Sequence, residues 1–308
     1  MVHELLAGPR AVSSLAFSPT VQNRLIVCMD RPVSQVWDII ISSSIASLHS
    51  TMSANMTFCT WSSDGSKIAT GGWGQSSVEI WDSTTYQLLH ALPLNDHGWR
   101  AFGVFSSDGA RLSLRCGPES FCSWNTENAV LPKTHEIYHC ISAFSPDGQY
   151  IATAAALPFH RSTGVVHIWN VETGDQCLEM EVDGLLVRAI AFSADGGRVL
   201  SVSERSITIS DSSTGSPLFT IHTGCKDPVA TACFSPDGKL IASAADSGKL
   251  QLWDAHNGTR VGTFNEHRGR EAQAVFSPDG DYLLSYASDG TVVIRPLERY
   301  RHCTRLSR

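Results

Sequence analysis

An aromatic residue followed by serine, and in most cases by an Asp-Gly turn, recurs at nearly the same interval along this chain of 308 residues. Successive aromatic residues lie 44, 44, 39, 48, 42 and 42 positions apart. A period of this length indicates a repeat architecture, in which each unit buries surface against its neighbours. The seven aromatic residues are Phe17, Trp61, Phe105, Phe144, Phe192, Phe234 and Phe276.

The sixth repeat indicates what one unit folds into. A β-prone run at 229–234 precedes the tight turn of residues 235–238, and a second run covers 240–244. Residues 250–254 alternate apolar and polar side chains, as a half-buried strand does, and 260–264 follow an Asn-Gly turn. Each repeat therefore predicts four short antiparallel strands. One such sheet cannot cover both of its faces, so we expect seven sheets to stack radially and close into a ring.

Trp-Asp or Trp-Asn pairs end five of the predicted third strands. They are Trp37-Asp38, Trp81-Asp82, Trp124-Asn125, Trp169-Asn170 and Trp253-Asp254. With these pairs the chain resembles the WD-repeat β-propeller family over residues 2–298. The resemblance implies an all-β fold, a seven-bladed propeller of four-stranded antiparallel blades. We expect residues 1–298 to form this one propeller and residues 299–308 to form a basic C-terminal tail.

The fourth strand of the seventh unit has two candidate sources. Residues 2–6 precede the first unit, and residues 298–308 follow the last. Proteins of the family commonly close their ring by pairing the two ends of the chain. We favour the N-terminal segment, because Leu5 and Leu6 precede the first strand as outer strands do elsewhere.

The resemblance also implies a polar network in each blade, which joins a His, a Ser or Thr, an Asp and the Trp. The residues available for it are His222, Ser243, Asp246 and Trp253 in the sixth unit, His267, Ser285 and Asp289 in the seventh, and His135, Thr153 and Trp169 in the fourth. The seventh unit has Arg295 where the Trp belongs, and the fifth lacks both His and Trp. We therefore expect the blades to differ in stability.

Charge and cysteine usage limit the classes of partner. The formal net charge is −7 and the sequence pI is about 5.9, which argues against nucleic acid and against an anionic membrane surface. Nine cysteines without a Cys-x-x-Cys pair are typical of a reducing compartment. No window approaches eighteen consecutive apolar residues. We expect a cytoplasmic protein, with the nucleus as the alternative setting.

The sequence contains few signs of catalysis. There is no His-Glu-x-x-His segment, no P-loop and no Gly-x-Ser-x-Gly elbow among its residues. The recurrent aspartates occupy the same Ser-x-Asp-Gly turns, where a carboxylate stabilises the turn. We therefore expect no enzymatic activity, no metal and no cofactor.

Three aromatic residues are not explained by the repeat: Trp73, Trp99 and Tyr138. Trp73 follows a second strand, whereas Trp99 and Tyr138 precede first strands, and in an antiparallel blade both kinds of loop leave the same end. The fourth unit adds an insertion at 156–164 in the same kind of loop as Trp73. The predicted binding site on blades 2–4 consists of Trp73, Trp99, Arg100, Tyr138, His139, Phe159 and Arg161. Trp, Tyr and Arg are enriched at interface anchors, although these side chains could instead pack on one another.

Several functions fit this reading. The leading hypothesis is a non-catalytic scaffold that recognises a segment of a protein or peptide partner, as a monomer or within a hetero-assembly. A second is the C-terminal sensor propeller of a larger signalling protein of the innate-immunity NTPase type. A third is a small-molecule or glycan binder. A cullin-ligase receptor is disfavoured, because the Trp-Asp-x-Arg sequence that such receptors often carry is missing after Trp37, Trp81 and Trp253.

Overall fold

The computed structural model describes most of the chain in separate ranges. These are residues 3–6, 12–29, 31–51, 55–72, 77–94, 102–106, 108–115, 120–128, 134–136, 141–154, 164–184, 186–265, 267, 272–288 and 291–301. Within them the chain forms strands joined by turns, and a single short helix. The strands divide between two compact units, one of residues 7–138 and the other of residues 1–6 together with 139–308.

The first strand of the chain, β1 (His3–Leu6), belongs to the second of these units. The unit of residues 7–138 holds three antiparallel sheets of four strands in sequence order. Their strands are β2 (Val12–Phe17), β3 (Arg24–Met29), β4 (Val33–Asp38) and β5 (Ser43–His49); β6 (Met56–Trp61), β7 (Lys67–Gly72), β8 (Ser77–Asp82) and β9 (Leu88–Pro93); and β10 (Phe102–Phe105), β11 (Arg111–Arg115), β12 (Ser120–Asn125) and β13 (Thr134–Glu136).

The other unit holds four sheets. Three contain consecutive strands: β14 (Ile141–Phe144), β15 (Tyr150–Ala154), β16 (Gly164–Asn170) and β17 (Gln176–Val182); β18 (Ala189–Phe192), β19 (Arg198–Val202), β20 (Ser206–Asp211) and β21 (Pro217–His222); and β22 (Val229–Phe234), β23 (Leu240–Ala245), β24 (Lys249–Asp254) and β25 (Arg260–Asn265). The fourth contains β26 (Gln273–Phe276), β27 (Tyr282–Tyr286) and β28 (Thr291–Pro296), followed by helix α1 (Glu298–Arg301).

The seventh sheet takes its fourth strand from the start of the chain. Strand β1 pairs antiparallel with β28, with His3 opposite Ile294 and Leu6 opposite Thr291, so the sheet order is β1-β28-β27-β26. The prediction that the N-terminal segment closes the seventh blade is confirmed. The C-terminal residues that competed for this place instead begin with the short helix α1.

The recurrent turn explains why the first two strands of each blade form a tight hairpin. In the sixth blade the Ser235 hydroxyl donates to Asp237 Oδ1 at 2.7 Å and accepts from the Leu240 amide at 2.9 Å. Gly238 adopts a φ of 67°, which residues with a Cβ avoid. The same Ser-Asp pairing recurs in the second, third, fourth, fifth and seventh blades.

Aliphatic side chains from adjacent sheets fill the space between them within each unit. In the first unit one cluster joins Val78, Ile80 and Leu92 to Phe105 and Leu112 of the next sheet. In the second unit Leu250 and Leu252 pack with residues of the following sheet. Seven four-stranded antiparallel blades with almost no helix form a β-propeller, and the predicted fold class is confirmed.

Candidate functional site

The predicted binding residues of blades 2–4 lie outside the described residues. This holds for Trp73, Trp99, Arg100, Tyr138, His139, Phe159 and Arg161. The described strands on either side of them show which connections they occupy: β7 to β8, β9 to β10, β13 to β14, and β15 to β16. The binding site therefore stays a prediction.

A buried carboxylate lies just beyond the connection that contains Trp73. Glu79 on β8 has no exposed surface, and its Oε1 accepts hydrogen bonds from the Thr51 amide at 2.8 Å and the Thr51 hydroxyl at 2.6 Å. Its Oε2, like the buried hydroxyl of Ser77, has no hydrogen-bond partner in the described part of the chain. Ser77 and Glu79 are two positions apart on one strand and so share a face. This end of blade 2 can therefore accept a further hydrogen bond.

Sequence reasoning missed Glu79, although a signal was present. The residue two positions before the blade tryptophan is Gln35 in blade 1, His167 in blade 4 and Gln251 in blade 6, and only blade 2 places an acid there among these four. A carboxylate within a buried third strand needs hydrogen-bond donors. Thr51 supplies two of them, from the connection that leads into the blade.

Three blades contain the expected bond between the tryptophan and a second-strand hydroxyl. The indole Nε1 of Trp81 donates to Thr70 at 2.8 Å, that of Trp169 to Thr153 at 2.8 Å, and that of Trp253 to Ser243 at 2.9 Å. Trp81 and Trp253 are buried and Trp169 is partly buried, so these side chains also pack within their blades. These polar groups are engaged in the fold.

The sixth blade departs from the network expected for it. His222 is exposed at the end of β21, and Asp246 forms an ion pair with Arg188 at 3.0 Å. The expectation that both residues join Ser243 and Trp253 is wrong. His222 is still part of the outer strand β21, and the carboxylate of Asp246 is paired with Arg188. Cys225 and Gln251 occupy the buried position instead, with the thiol 3.0 Å from Gln251 Oε1.

The seventh blade keeps the histidine but replaces the tryptophan. His267 is buried, with Nε2 2.8 Å from the Ser285 hydroxyl and Nδ1 2.9 Å from the Thr291 hydroxyl. The guanidinium of Arg295 lies 4.1 Å from the centre of the Phe264 ring, which Tyr300 of α1 contacts edge-on at 5.7 Å. A cation–π contact thus occupies the place of the tryptophan, and both ring nitrogens of His267 serve the fold.

The turn aspartates are hydrogen-bond acceptors with lowered pKa values. The Ser106 hydroxyl lowers the pKa of Asp108, and that of Ser193 lowers the pKa of Asp195. Carboxylates held in the ionised form suit turns and do not suit a general acid.

In the ranges that the structure covers, no group of three or more His, Cys, Asp or Glu could hold a metal ion.

A cavity of about 340 Å³ lies where the first strands β18, β22 and β26 end. Its lining residues are Phe192, Ala194, Cys233, Phe234, Ser235, Pro236, Val275 and Phe276. Burial raises the pKa of the Cys233 thiol to about 12, and its Sγ donates to the Ala274 carbonyl at 3.3 Å. The thiol is therefore neutral and a poor nucleophile. The wall carries no charged side chain, so it suits a neutral, apolar group.

The sequence did not predict this cavity. Phe234 and Phe276 are buried, and Phe192 is partly exposed. The same three rings are the marker residues of the repeat, so the sequence pattern contains no separate signal for the open space that they line. Within the described residues, none of the helices has the length and apolar character needed to cross a membrane.

Comparison with known proteins gives a consistent family. The family model described as "WD domain, G-beta repeat" matches residues 129–170, 215–254 and 258–294. A WD repeat-containing protein SL1-17 from Schistosoma mansoni is 28% identical over 66% of this chain and 67% of its own length.

Two further relatives are called apoptotic protease-activating factor 1. The protein from Danio rerio is 23% identical over 63% of this chain, and the one from Homo sapiens is 25% identical over 48%. The matches span only 16% and 12% of those two proteins. Matched repeats in three places, a WD repeat-containing relative and seven four-stranded blades together support the WD-repeat β-propeller family for this chain.

Proposed function

We propose that this chain is a non-catalytic scaffold that binds a segment of a partner protein at the loops of blades 2–4. The observation that carries the proposal is the WD-repeat architecture itself, since WD repeats suggest a protein-interaction scaffold. The polar side chains of the repeat are used within it: described serines and aspartates bond in the turns, and the tryptophans bond to second-strand hydroxyls. The surface loops are therefore the parts of the molecule that we propose for binding a partner. The reducing cytoplasm or nucleus is the proposed setting, in keeping with the free cysteines Cys28, Cys59 and Cys177.

The strand order of the blades supports the choice of loops. In an antiparallel four-stranded sheet, the connection between the second and third strands leaves the same end as the connection to the next blade. Trp73 and Trp99 belong to two such connections around β8 and β9. Aromatic anchors in such loops suit a peptide that carries apolar side chains.

Affinity purification with matched variants tests the proposal. Tagged wild type is compared with a Trp99→Ala, Tyr138→Ala double variant and with Leu218→Ala, which alters an exposed leucine of blade 5. We expect the double variant to lose the partners that the wild type captures, and Leu218→Ala to keep them. For a purified partner, each anchor truncation should cost about 2 kcal/mol of binding, roughly 30-fold in Kd. Unchanged affinity in a variant whose circular dichroism matches the wild type would reject this site.

The relatives favour one second candidate, a sensor propeller of a larger signalling protein. Both apoptotic protease-activating factor 1 relatives are much longer than the segment they share with this chain. By their name they activate a protease in apoptosis, and a related role for this chain is an analogy. Sequencing of the native transcript distinguishes the two candidates. A reading frame that joins this propeller to a nucleotide-binding module supports the sensor, and a frame without one supports the free scaffold.

A further inference from the structure

The outer strands of the blades differ in how they discourage pairing with another chain. An outer strand leaves one row of backbone N–H and C=O groups without a partner in its own sheet, and proteins protect such edges with charges, proline or a covering element. Strand β9 ends in Pro93, β21 begins with Pro217, and β17 carries Glu179 and Glu181. Strands β1, β13 and β25 also carry a charged residue each.

Strand β5 of blade 1 has none of these features. Its sequence, Ser-Ser-Ile-Ala-Ser-Leu-His, contains no acid, no lysine or arginine, and no proline. The sheet order β2-β3-β4-β5 places it at the edge. At seven residues and roughly 23 Å it is as long as any outer strand described. Blade 1 therefore presents an edge that lacks the usual protection.

The exposed aliphatic side chains concentrate at the same place. Of the seven large hydrophobic residues exposed in the described parts of the chain, four belong to blade 1: Val21, Ile40, Ile41 and Ile45. Ile40 and Ile41 are 70% and 63% exposed in the turn that leads into β5. Ile45 lies on β5 itself.

The turn before β5 does not need these isoleucines for its shape. In blade 1 the Asp38 carboxylate accepts from the amides of Ile40 and Ile41 at 2.9 and 3.3 Å. The corresponding turns have the same bonds with polar residues at the tip: Thr84 and Thr85, Glu127 and Asn128, Glu172 and Thr173, and Ser213 and Thr214. Since polar residues make the same turn, the apolar pair in blade 1 marks a surface to be covered.

The isoleucine turn is also held in place by its neighbour. The Ile39 amide donates to the Asn23 carbonyl at 2.9 Å, which joins this turn to the β2–β3 turn that contains Val21. The two turns and the start of β5 thus form one apolar surface, in which a backbone hydrogen bond connects the two turns. We call Val21, Ile40, Ile41 and strand β5 the blade 1 edge.

We propose that the blade 1 edge is a self-association surface, at which β5 pairs antiparallel with β5 of a second copy of this chain. The open row of backbone groups requires an extended strand as its partner. A twofold axis needs only one kind of surface, and β5 is complementary to itself, because antiparallel pairing brings no like charges together. A register with Ile45 opposite Ile45 of the second copy would bury an exposed aliphatic pair and place serines opposite small residues.

The size of this surface sets the expected strength. A stable dimer of standard size buries about 800 Å² on each partner. One seven-residue strand with four aliphatic side chains lies toward the lower end of that scale. We therefore expect a weak dimer that forms as the concentration is raised, independent of the partner-binding loops of blades 2–4.

Sedimentation velocity of the purified chain over a concentration series tests the proposal. We expect the wild type to pass from monomer to dimer. Ile45→Lys places a charge on the edge of both copies and should raise the dimer Kd roughly tenfold or more, because it acts twice across the axis. Leu218→Lys, which changes an exposed residue of the outer strand β21, should leave the Kd unchanged. A second edge variant, Ser47→Lys, covers the case in which Ile45→Lys does not fold.

A cysteine pair reports the register directly. Ile45→Cys should form an intermolecular disulfide under mild oxidation, since directly opposite positions of an antiparallel pair lie within disulfide reach. Leu218→Cys serves as the matched control, and the wild type reports the background from exposed Cys177. A wild type that stays monomeric throughout the series overturns the proposal. So does a dimer that resists both lysine variants of β5, or one that Leu218→Lys weakens equally.

Discussion

In blades 2, 4 and 6 a single second-strand hydroxyl accepts the hydrogen bond of the blade tryptophan. Thr70, Thr153 and Ser243 each accept from an indole N–H, from the position two residues after the one that pairs with the tryptophan. In blade 3 that position holds Leu114, and the Nε1 of buried Trp124 has no partner among the described residues. The tryptophan indole is thus hydrogen-bonded in three blades, whereas in blade 3 it lacks a partner within the described ranges. A buried donor without an acceptor costs about 1–3 kcal/mol, so blades differ at this single position.

Thr70→Val should therefore destabilise the chain. Thr70 has no exposed surface and Trp81 very little, so the indole N–H could not turn to water after the hydroxyl is lost. We expect a loss of about 1–3 kcal/mol in the free energy of unfolding, measured by urea denaturation. In a Trp81→Phe background the same substitution should cost much less, because the donor is absent. Equal costs in both backgrounds would show that the hydrogen bond is not the cause.

The sequence predicted these tryptophan partners better than it predicted the histidines. A hydroxyl on the second strand and a tryptophan on the third are fixed by strand register, which the turns set on either side. The position of His222 depends on where the outer strand ends and the irregular connection to the next blade begins. In the structure β21 extends to His222, so this residue belongs to the strand. The contacts of Glu79 with Thr51 could not be predicted either, since they join two elements through a connection of irregular length.

At the scale of the element, the Ser-x-Asp-Gly turn that joins the first two strands of a blade is stabilised by an ionised aspartate. Its aspartate accepts from the serine hydroxyl and from a backbone amide, as Asp195 does from Ser193 and Gly197. The third-to-fourth-strand turns use an Asp or Asn in the same way. The hydroxyl of Ser213 is the main cause that lowers the pKa of Asp211 to about 2, followed by the amide of Thr214. Both kinds of turn favour the charged form.

Stability should consequently fall at acid pH. The pKa of Asp211 is below the ordinary 3.8 in the folded chain, and Asp108 and Asp195 are shifted in the same direction. A lowered folded-state pKa contributes stability that is complete above the unfolded-state pKa and is lost as the pH falls through the folded value. We expect urea midpoints to hold from neutral pH to about 5 and to drop between about 4 and 2. Asp211→Asn should show a shallower drop than wild type, and an identical pH profile would contradict its role.

Element boundaries were the most predictable level, and open surfaces the least. The predicted runs at 229–234 and 260–264 agree with β22 and β25 to within a residue, because Pro-Asp-Gly and Asn-Gly turns delimit them. The open edge of β5 has no local signal of its own. It becomes visible only when all outer strands are compared, since its distinction is the absence of charge and proline. The apolar cavity beside Phe234 likewise arises from three strands that are distant in sequence.

At the scale of the whole molecule, one sheet joins the two ends of the described chain. Strand β1 supplies four residues to the edge of β28. Along the sequence, residues 7–138, which form a separate compact unit, come between β1 and the other residues of the unit that contains β1. Pairing over this sequence distance carries a loop-closure cost that grows slowly with length. The seventh blade therefore completes its hydrogen bonding only when the first residues of the chain have been recruited. Its other outer neighbour, helix α1, contacts β25 of the sixth blade through Tyr300 and leaves β28 to β1.

Removal of residues 1–6 should destabilise the protein more than removal of residues 302–308. The first deletion takes away β1 and leaves the edge of β28 unpaired, whereas the second removes residues beyond α1. For a chain of this size we expect the melting temperature to fall by about 5 °C or more in the first case and to change little in the second. Differential scanning calorimetry of both variants beside the wild type makes the comparison. A melting temperature that is unaffected by loss of β1 would show that the β1–β28 pairing contributes no stability, and an equal fall in both deletions would remove the distinction between the two ends.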